Sequence, residues 1–178
     1  FKKVYERFGM TFSLVDTTDP ANVRAAMGPN TRYVYIETPS NPLLTLTDIS
    51  AMAEIAHGGG AQLVVDNTFA TPMLQRPLDA GFDIVMHSTT KYLGGHSDAL
   101  GGVLVTNRRD LAERLRFLQN AIGAVGSPFD SYLTLRGCKT LALALTHVHV
   151  PSPTPSPSPS AASPLPGAPA ARQLARRL

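Results

Sequence analysis

Cysteine is nearly absent from this sequence, and long apolar runs are missing altogether. Cys138 is the only cysteine in 178 residues, which excludes a disulfide within the chain and a thiolate cluster for zinc or iron–sulfur. A reducing, cytoplasmic location is expected on this ground. No apolar run approaches the roughly 20 residues that cross a bilayer, so no membrane segment is expected.

An excess of positive charge is also absent from the body of the chain, although the net charge is +3. Three of the 16 basic residues follow His149, where no acidic residue occurs, and removing them leaves 13 basic against 13 acidic residues. A neutral body lacks the basic face that binds nucleic acid, so no such partner is expected.

Motifs for two common kinds of site are missing as well. The spacing of His87, His96, Asp83 and Asp98 matches no metal-ligand pattern such as H-E-x-x-H, so no metal is expected. The sequence contains no G-x-x-x-x-G-K-[ST] run, which excludes a Walker-type phosphate loop.

What the sequence does contain is a regular alternation of short apolar runs and helical patterns. The apolar runs predict strands at 11–15, 33–36, 63–65, 84–86 and 103–105. The helical patterns predict helices at 21–27, 49–56, 110–122 and 131–145, the second capped by Thr47 or Asp48. Because the strand runs are apolar throughout, we expect burial on both faces and a mostly parallel sheet flanked by helices, an α/β fold.

Composition divides the chain into two regions. Residues 1–146 carry the alternating pattern and are expected to form the α/β domain. Residues 147–178 are rich in proline, serine and alanine, so they can bury little apolar surface and lack backbone donors at the prolines. A disordered or polyproline II tail is expected there.

Polar residues stand where two predicted strands end. Asp66 closes one apolar run, and Ser88, Thr90 and Lys91 follow the next. In open α/β sheets, ligands bind beyond the carboxyl ends of the strands. A carboxylate, hydroxyls and an amine suit the ring nitrogen, the phosphate and the aldehyde of pyridoxal phosphate. These residues therefore predict a site for that cofactor.

Each of these residues also has an ordinary structural explanation. A lysine at a strand end is most often solvated, and Asp66 could cap the following turn. The hydroxyls of Ser88 and Thr90, two apart in an extended segment, would share one side and hold a phosphate, or would satisfy backbone groups. Asn41, in the proline-rich turn 38–42, could aim its amide at the phenolic oxygen of the cofactor or simply shape the turn.

Five stretches of the sequence resemble one known family. They are residues 12–19, 37–42, 64–72, 83–102 and 117–143, and the fourth, DIVMHSTTKYLGGHSDALGG, is the most specific. The sequence resembles the Cys/Met-metabolism family of pyridoxal-phosphate enzymes, which includes cystathionine γ-lyase, cystathionine γ-synthase, methionine γ-lyase and the homoserine sulfhydrylases. The resemblance covers about residues 1–143.

The resemblance implies a role for each candidate residue. Lys91 would be the catalytic residue and form the Schiff base with the cofactor, and Asp66 would pair with the pyridine nitrogen. Ser88 and Thr90 would bind the phosphate. Two further residues would lie close to the ring: Asn41 and Thr68. The similar enzymes have fold type I, with a large α/β cofactor domain and a smaller C-terminal domain, and are usually homotetramers.

The resemblance also implies trans-sulfuration, by γ-elimination or γ-replacement on cystathionine or O-acyl-homoserine type amino acids. The similar enzymes have further sequence before the point that matches Phe1 and a C-terminal domain after the point that matches Leu143. The chain is therefore expected to be an interior piece of a longer protein, an incomplete fold type I large domain. The alternative is a truncated, non-catalytic remnant that at most binds the cofactor or a partner subunit.

Overall fold

A four-stranded sheet flanked by helices forms the body of the protein. The computed structural model describes residues 1–149. The strands, in their order across the sheet, are β1 (Tyr33–Glu37), β2 (Gln62–Asp66), β3 (Ile84–Ser88) and β4 (Gly102–Val105). The first three are parallel, and β4 is antiparallel to β3. The mostly parallel α/β sheet expected from the sequence is confirmed.

Helices and short turns connect the strands. The helices are α1 (Lys2–Tyr5), α2 (Pro20–Ala26), α3 (Ile49–Gly58), α4 (Thr71–Leu74), α5 (Arg109–Ile122), α6 (Pro128–Cys138) and α7 (Leu141–His149). Asp48, rather than Thr47, caps α3, and its carboxylate accepts hydrogen bonds from the amides of Ser50 and Ala51 at 2.9 and 3.0 Å. None of the helices among residues 1–149 has the length and apolarity to span a membrane.

The main core lies between the sheet and α3. Val34, Leu63, Val65 and Val85 point to this side and pack with Met52 of α3. Successive side chains of a strand point to opposite faces, so only alternate residues can reach the helix. The expectation that both faces are buried is wrong for the described residues, because the second face is only partly covered: β1 alternates exposed and buried residues, and every residue of β4 is exposed.

Two predicted elements differ from the observed ones. Residues 11–15 were predicted as a strand but lie outside the sheet, where Leu14 is exposed and no strand of the described chain pairs with them. The predicted helix 131–145 is two helices, α6 and α7. It breaks at Thr140, whose amide and hydroxyl both donate to the carbonyl of Gly137, at 3.0 and 2.9 Å. The predicted tail begins at residue 147, and residues 150–178 of it lie outside the described residues.

Asp83, just before β3, ties three elements together at the amino end of the sheet. Its buried carboxylate accepts hydrogen bonds from the Leu63 amide at 2.8 Å, His57 Nε2 at 3.0 Å and Arg108 Nη1 at 3.1 Å. Burial raises the pKa of Asp83, but these hydrogen bonds outweigh it and hold the pKa below its ordinary value of 3.8. The carboxylate therefore joins α3, β2 and the start of α5.

We predict that Asp83→Asn lowers the free energy of unfolding by about 2 kcal/mol, because an amide cannot accept all three hydrogen bonds and leaves buried donors unpaired. Urea denaturation measures this loss. The matched control is Asp79→Asn, which breaks an exposed pair with Arg76 and should leave stability unchanged. Equal urea midpoints for the two variants would contradict the stabilising role of the Asp83 carboxylate.

The depressed pKa also predicts a pH dependence. A carboxyl whose pKa is lowered by folding stabilises the folded chain fully when the pH is above the pKa of the unfolded chain, near 3.8. This stabilisation is lost as the pH falls through the lower pKa of the folded chain. The stability difference between the unchanged chain and Asp83→Asn should therefore be full at neutral pH and shrink below pH 3.8. Denaturation curves across this range measure the difference, and a gap that grows on acidification would contradict the prediction.

Candidate functional site

The carboxyl ends of β1, β2 and β3 meet at one edge of the sheet. Glu37 is opposite Asp66 in the β1–β2 register, and Asp66 is opposite Met86 in the β2–β3 register. Opposite residues of neighbouring strands share a face. Ser88, two residues beyond Met86, is the last residue of β3 and lies on the same face. Two of the predicted site residues, Asp66 and Ser88, therefore lie at adjacent strand ends.

Three of the predicted residues form one hydrogen-bonded series. The Thr68 amide donates to Asp66 Oδ1 at 3.0 Å, and the Ser88 amide donates to Thr68 Oγ1 at 2.8 Å. Thr68 is buried, so it holds the end of β3 against the loop that follows β2. The series fixes the spacing of the Asp66 carboxylate and Ser88.

Lys91 lies in a single tight turn, Thr89–Leu93, which we term the Lys91 turn. The turn is closed by the amide of Gly94 donating to the Thr89 carbonyl and that of Gly95 donating to the Lys91 carbonyl, both at 2.8 Å. Gly95 has a φ of +69°, which favours glycine. The glycine pair thus serves to close this turn.

The expectation of an extended segment from Ser88 to Thr90 is wrong. The chain turns from Thr89 onward, because the Thr89 carbonyl accepts the Gly94 amide at 2.8 Å and residues Thr89–Leu93 form the Lys91 turn. The Thr90 hydroxyl pairs with Gly101, accepting from its amide at 3.1 Å. Ser88 and Thr90 therefore do not present their hydroxyls as alternate residues of one strand.

The other three predicted residues, Asn41, Thr90 and Lys91, line one open hollow of about 1110 Å³. Small-molecule sites in proteins measure roughly 300–1,000 Å³, so the hollow can admit a cofactor. Lys91 is exposed, and no hydrogen bond or ion pair of its amine is formed within the described residues. The hydrogen-bonded series from Asp66 to Ser88 does not line this hollow.

An aromatic contact joins the two groups of residues. Phe69 follows Thr68 directly, and its ring meets that of Tyr92 edge to face, with centroids 6.3 Å apart. Both rings line the hollow. The loop after β2 therefore packs against the Lys91 turn through Phe69, which lines the hollow that contains Lys91.

The negative charge of Asp66 acts on neighbouring groups that the sequence reasoning did not single out. Burial, together with the charges of Asp66 and Glu37, raises the pKa of Tyr35 to about 12. Burial, and after it the charge of Asp66, also raises the pKa of Glu37, whereas a hydrogen bond from the backbone amide of Asn41 lowers it. Glu37 could have been found from sequence, because it ends an apolar run as Asp66 does.

His87 is a second residue that the sequence reasoning left without a role. Burial lowers its pKa, although the charge of Asp66 opposes this change. Its Nδ1 atom is buried and has no hydrogen-bond partner in the described part of the chain. The imidazole is therefore expected to be neutral at pH 7.

The residues at this edge fit pyridoxal phosphate by their chemistry. Asp66 offers a carboxylate at a strand end, and Lys91, beside a hollow, offers an amine that is unpaired among residues 1–149. Ser88 and Thr90 offer hydroxyls within three residues of that amine. The cofactor requires an acidic partner for its ring nitrogen and a lysine for its aldehyde. Asp66 is such an acidic residue, and Lys91 is such a lysine.

Comparison with solved structures defines the class of protein. The chain superposes on the crystal structure of cystathionine γ-lyase from Lactobacillus plantarum complexed with L-serine, with a TM-score of 0.78 and 53% identity, over 79% of this chain and 37% of that one. It also superposes on apo CalE6, a methionine γ-lyase from Micromonospora echinospora, with a TM-score of 0.77 and 43% identity, over 79% and 39%. The fold is that of the pyridoxal-phosphate-dependent lyases.

Within that class, the chain belongs to the Cys/Met metabolism PLP-dependent enzyme family, whose model matches residues 1–151. It is 54% identical to cystathionine γ-synthase of Mycobacterium tuberculosis over 79% of this chain and 36% of that protein. It is 54% identical to cystathionine γ-lyase of Bacillus subtilis (79% and 37%) and 54% to cystathionine β-lyase of Coxiella burnetii (80% and 38%). The chain spans less than half the length of these curated relatives.

We predict that Asp66→Asn lowers the pKa of Tyr35 from about 12 part of the way toward 10.0, because one of the two nearby negative charges is removed while burial remains. Ultraviolet titration of tyrosinate, with Tyr35→Phe identifying the signal, measures the shift. Asp79→Asn, at an exposed turn, is the control. An unchanged titration would place the Asp66 carboxylate away from Tyr35.

Proposed function

We propose that this protein functions in pyridoxal-phosphate-dependent trans-sulfuration, by γ-elimination or γ-replacement on cystathionine or O-acyl-homoserine type amino acids. Membership of the Cys/Met metabolism family supports this, as do relatives named cystathionine γ-synthase and cystathionine γ-lyase. The single observation that carries the proposal is the Lys91 amine, unpaired within the described residues, on a hollow that Phe69, three residues after the Asp66 strand end, also lines.

The roles of the residues follow from their chemistry. When bound, pyridoxal phosphate supplies an aldehyde that bonds to amines and a ring that accepts electrons from the substrate Cα. Lys91 holds the cofactor through its amine and, once released by the substrate amine, removes and returns the Cα proton as general base and acid. Asp66 favours the protonated ring nitrogen, because opposite charges stabilise each other.

The remaining candidate residues orient the cofactor. Ser88 and Thr90 would donate hydrogen bonds to the phosphate. Asn41, which lines the hollow with Lys91, would donate to the phenolic oxygen, and Thr68, which is hydrogen-bonded to both Asp66 and Ser88, would lie close to the ring. These contacts restrict the ring to one orientation, which can supply several orders of magnitude in rate.

In this proposal the described residues supply the cofactor chemistry that the relatives share, and they do not determine which of the relatives' reactions takes place. A γ-synthase, a γ-lyase and a β-lyase are all 54% identical to this chain over nearly the same length.

In this proposal residues 1–146 are part of the large cofactor domain and residues 147–178 are a tail outside it. The protein acts in the cytoplasm as a homotetramer, and γ-replacement makes it a transferase as well as a lyase.

We predict that reduction with borohydride in the presence of pyridoxal phosphate attaches the phosphopyridoxyl group to Lys91. The amine lies on the hollow proposed to bind the cofactor, which would hold the aldehyde next to it, so it should react ahead of the other lysines. Peptide mass spectrometry locates the label, and a visible absorption band reports the bound cofactor before reduction. Lys91→Ala should abolish both signals.

Lys139→Ala is the matched control, because Lys139 is an exposed lysine at the end of α6 and lines no part of the hollow. Labelling spread evenly over the lysines would overturn the proposed role of Lys91. Release of 2-oxo acid from cystathionine tests turnover in an unreduced portion of the same preparation. A label at Lys91 without turnover would favour the non-catalytic alternative.

A further inference from the structure

Helix α6 touches the Lys91 turn through the backbone itself. A Cβ atom added to Gly137 would lie 1.9 Å from the carbonyl oxygen of Gly94 and 3.0 Å from its Cα. No side chain fits between the two backbones at that distance. Glycine at position 137 is therefore required for the helix to reach the turn.

A charged contact from the neighbouring residue of α6 reinforces this approach. Arg136 Nη2 donates to Asp98 Oδ2, and the two side chains form an ion pair. Asp98 follows the Lys91 turn and lines the same hollow as Lys91. Consecutive residues of α6 thus hold the chain at two points, Gly94 and Asp98, on the carboxyl side of the lysine.

The Lys91 turn needs support from outside itself. At Lys91 the backbone has φ −99° and ψ −123°, which interrupts the helical geometry of its neighbours. Regular helical hydrogen bonds therefore do not fix the direction in which this residue points. The two contacts with α6 restrain the chain just beyond it.

We propose that Arg136 is a positioning residue for Lys91. Through Asp98, and together with the Gly137–Gly94 contact, it holds the Lys91 turn so that the lysine amine faces the hollow. This inference rests on the proposed function, in which that amine binds the cofactor. A site held by packed supporting residues binds more tightly, because less ordering remains to be done on binding.

The test compares Arg136→Gln, Asp98→Asn and the double variant of the 178-residue chain. Each single variant should weaken the apparent affinity for pyridoxal phosphate roughly fivefold, because each removes one partly exposed ion pair. The double variant should lose no more than either single variant, because the two residues act as one pair. The absorption band and the yield of labelled Lys91 measure the effect.

Two matched variants separate positioning from general damage. Arg109→Gln breaks an ion pair with Glu113 on α5, away from the hollow, and should not change the affinity. Arg136→Lys keeps a positive charge for Asp98 and should restore part of the loss. Gly137→Ala should weaken binding further, whereas Gly58→Ala, at a helical glycine with nothing within 4 Å, should not.

Amide hydrogen exchange supplies a readout that needs no cofactor. The Gly94 and Gly95 amides close the Lys91 turn, so they should exchange faster in Arg136→Gln and Asp98→Asn than in Arg109→Gln. If the unchanged chain is labelled at Lys91 while affinity and exchange match the control, the inference fails and the proposed function stands. If the unchanged chain forms no bond at Lys91, both fail together.

Discussion

In-register parallel pairing of β1, β2 and β3 is the constraint on which the rest of the site depends. Parallel strands end at the same edge, so Glu37 and Asp66, which are 29 positions apart in the chain, become neighbours. The burial of Leu63 and Val65 against α3 fixes which way β2 faces. A shift of one residue in the register of β2 would turn the Asp66 carboxylate into the core. The packing of the core therefore also fixes the orientation of the polar residues at the edge of the sheet.

The Asp66 carboxylate is the electrostatic centre of this edge. Its charge raises the pKa values of Tyr35 and Glu37 and opposes the lowering of the pKa of His87. His87 is buried and Glu37 is half-buried, where charges interact more strongly than in water, whereas Tyr35 is 42% exposed. Hydrogen bonds through Thr68 then connect this centre to the end of β3. The edge therefore combines two carboxylates, Asp66 and Glu37, with polar groups, which suits a ligand carrying a positive ring nitrogen.

The strands and helices that sequence reasoning predicted well are those with strong local signals. The four observed strands coincide with apolar runs, and α3 begins directly after its capping residue, Asp48. The predicted strand at 11–15 failed because a strand needs a hydrogen-bonded neighbour, which local sequence does not reveal. The prediction of one helix over 131–145 failed for a different reason, because the Thr140 hydroxyl competes for a backbone carbonyl.

The sequence alone determined the chemical groups of the candidate site and their order along the chain: a strand-end carboxylate, paired hydroxyls and a lysine before two glycines. Only the tertiary structure decided which groups meet. It bridged Asp66 to Ser88 through Thr68, set Lys91 beside Asn41 on one hollow, and brought Arg136 of α6 to Asp98. Motifs are read from neighbours in sequence, whereas strand pairing and helix packing join residues that are far apart, and no local pattern records those distances.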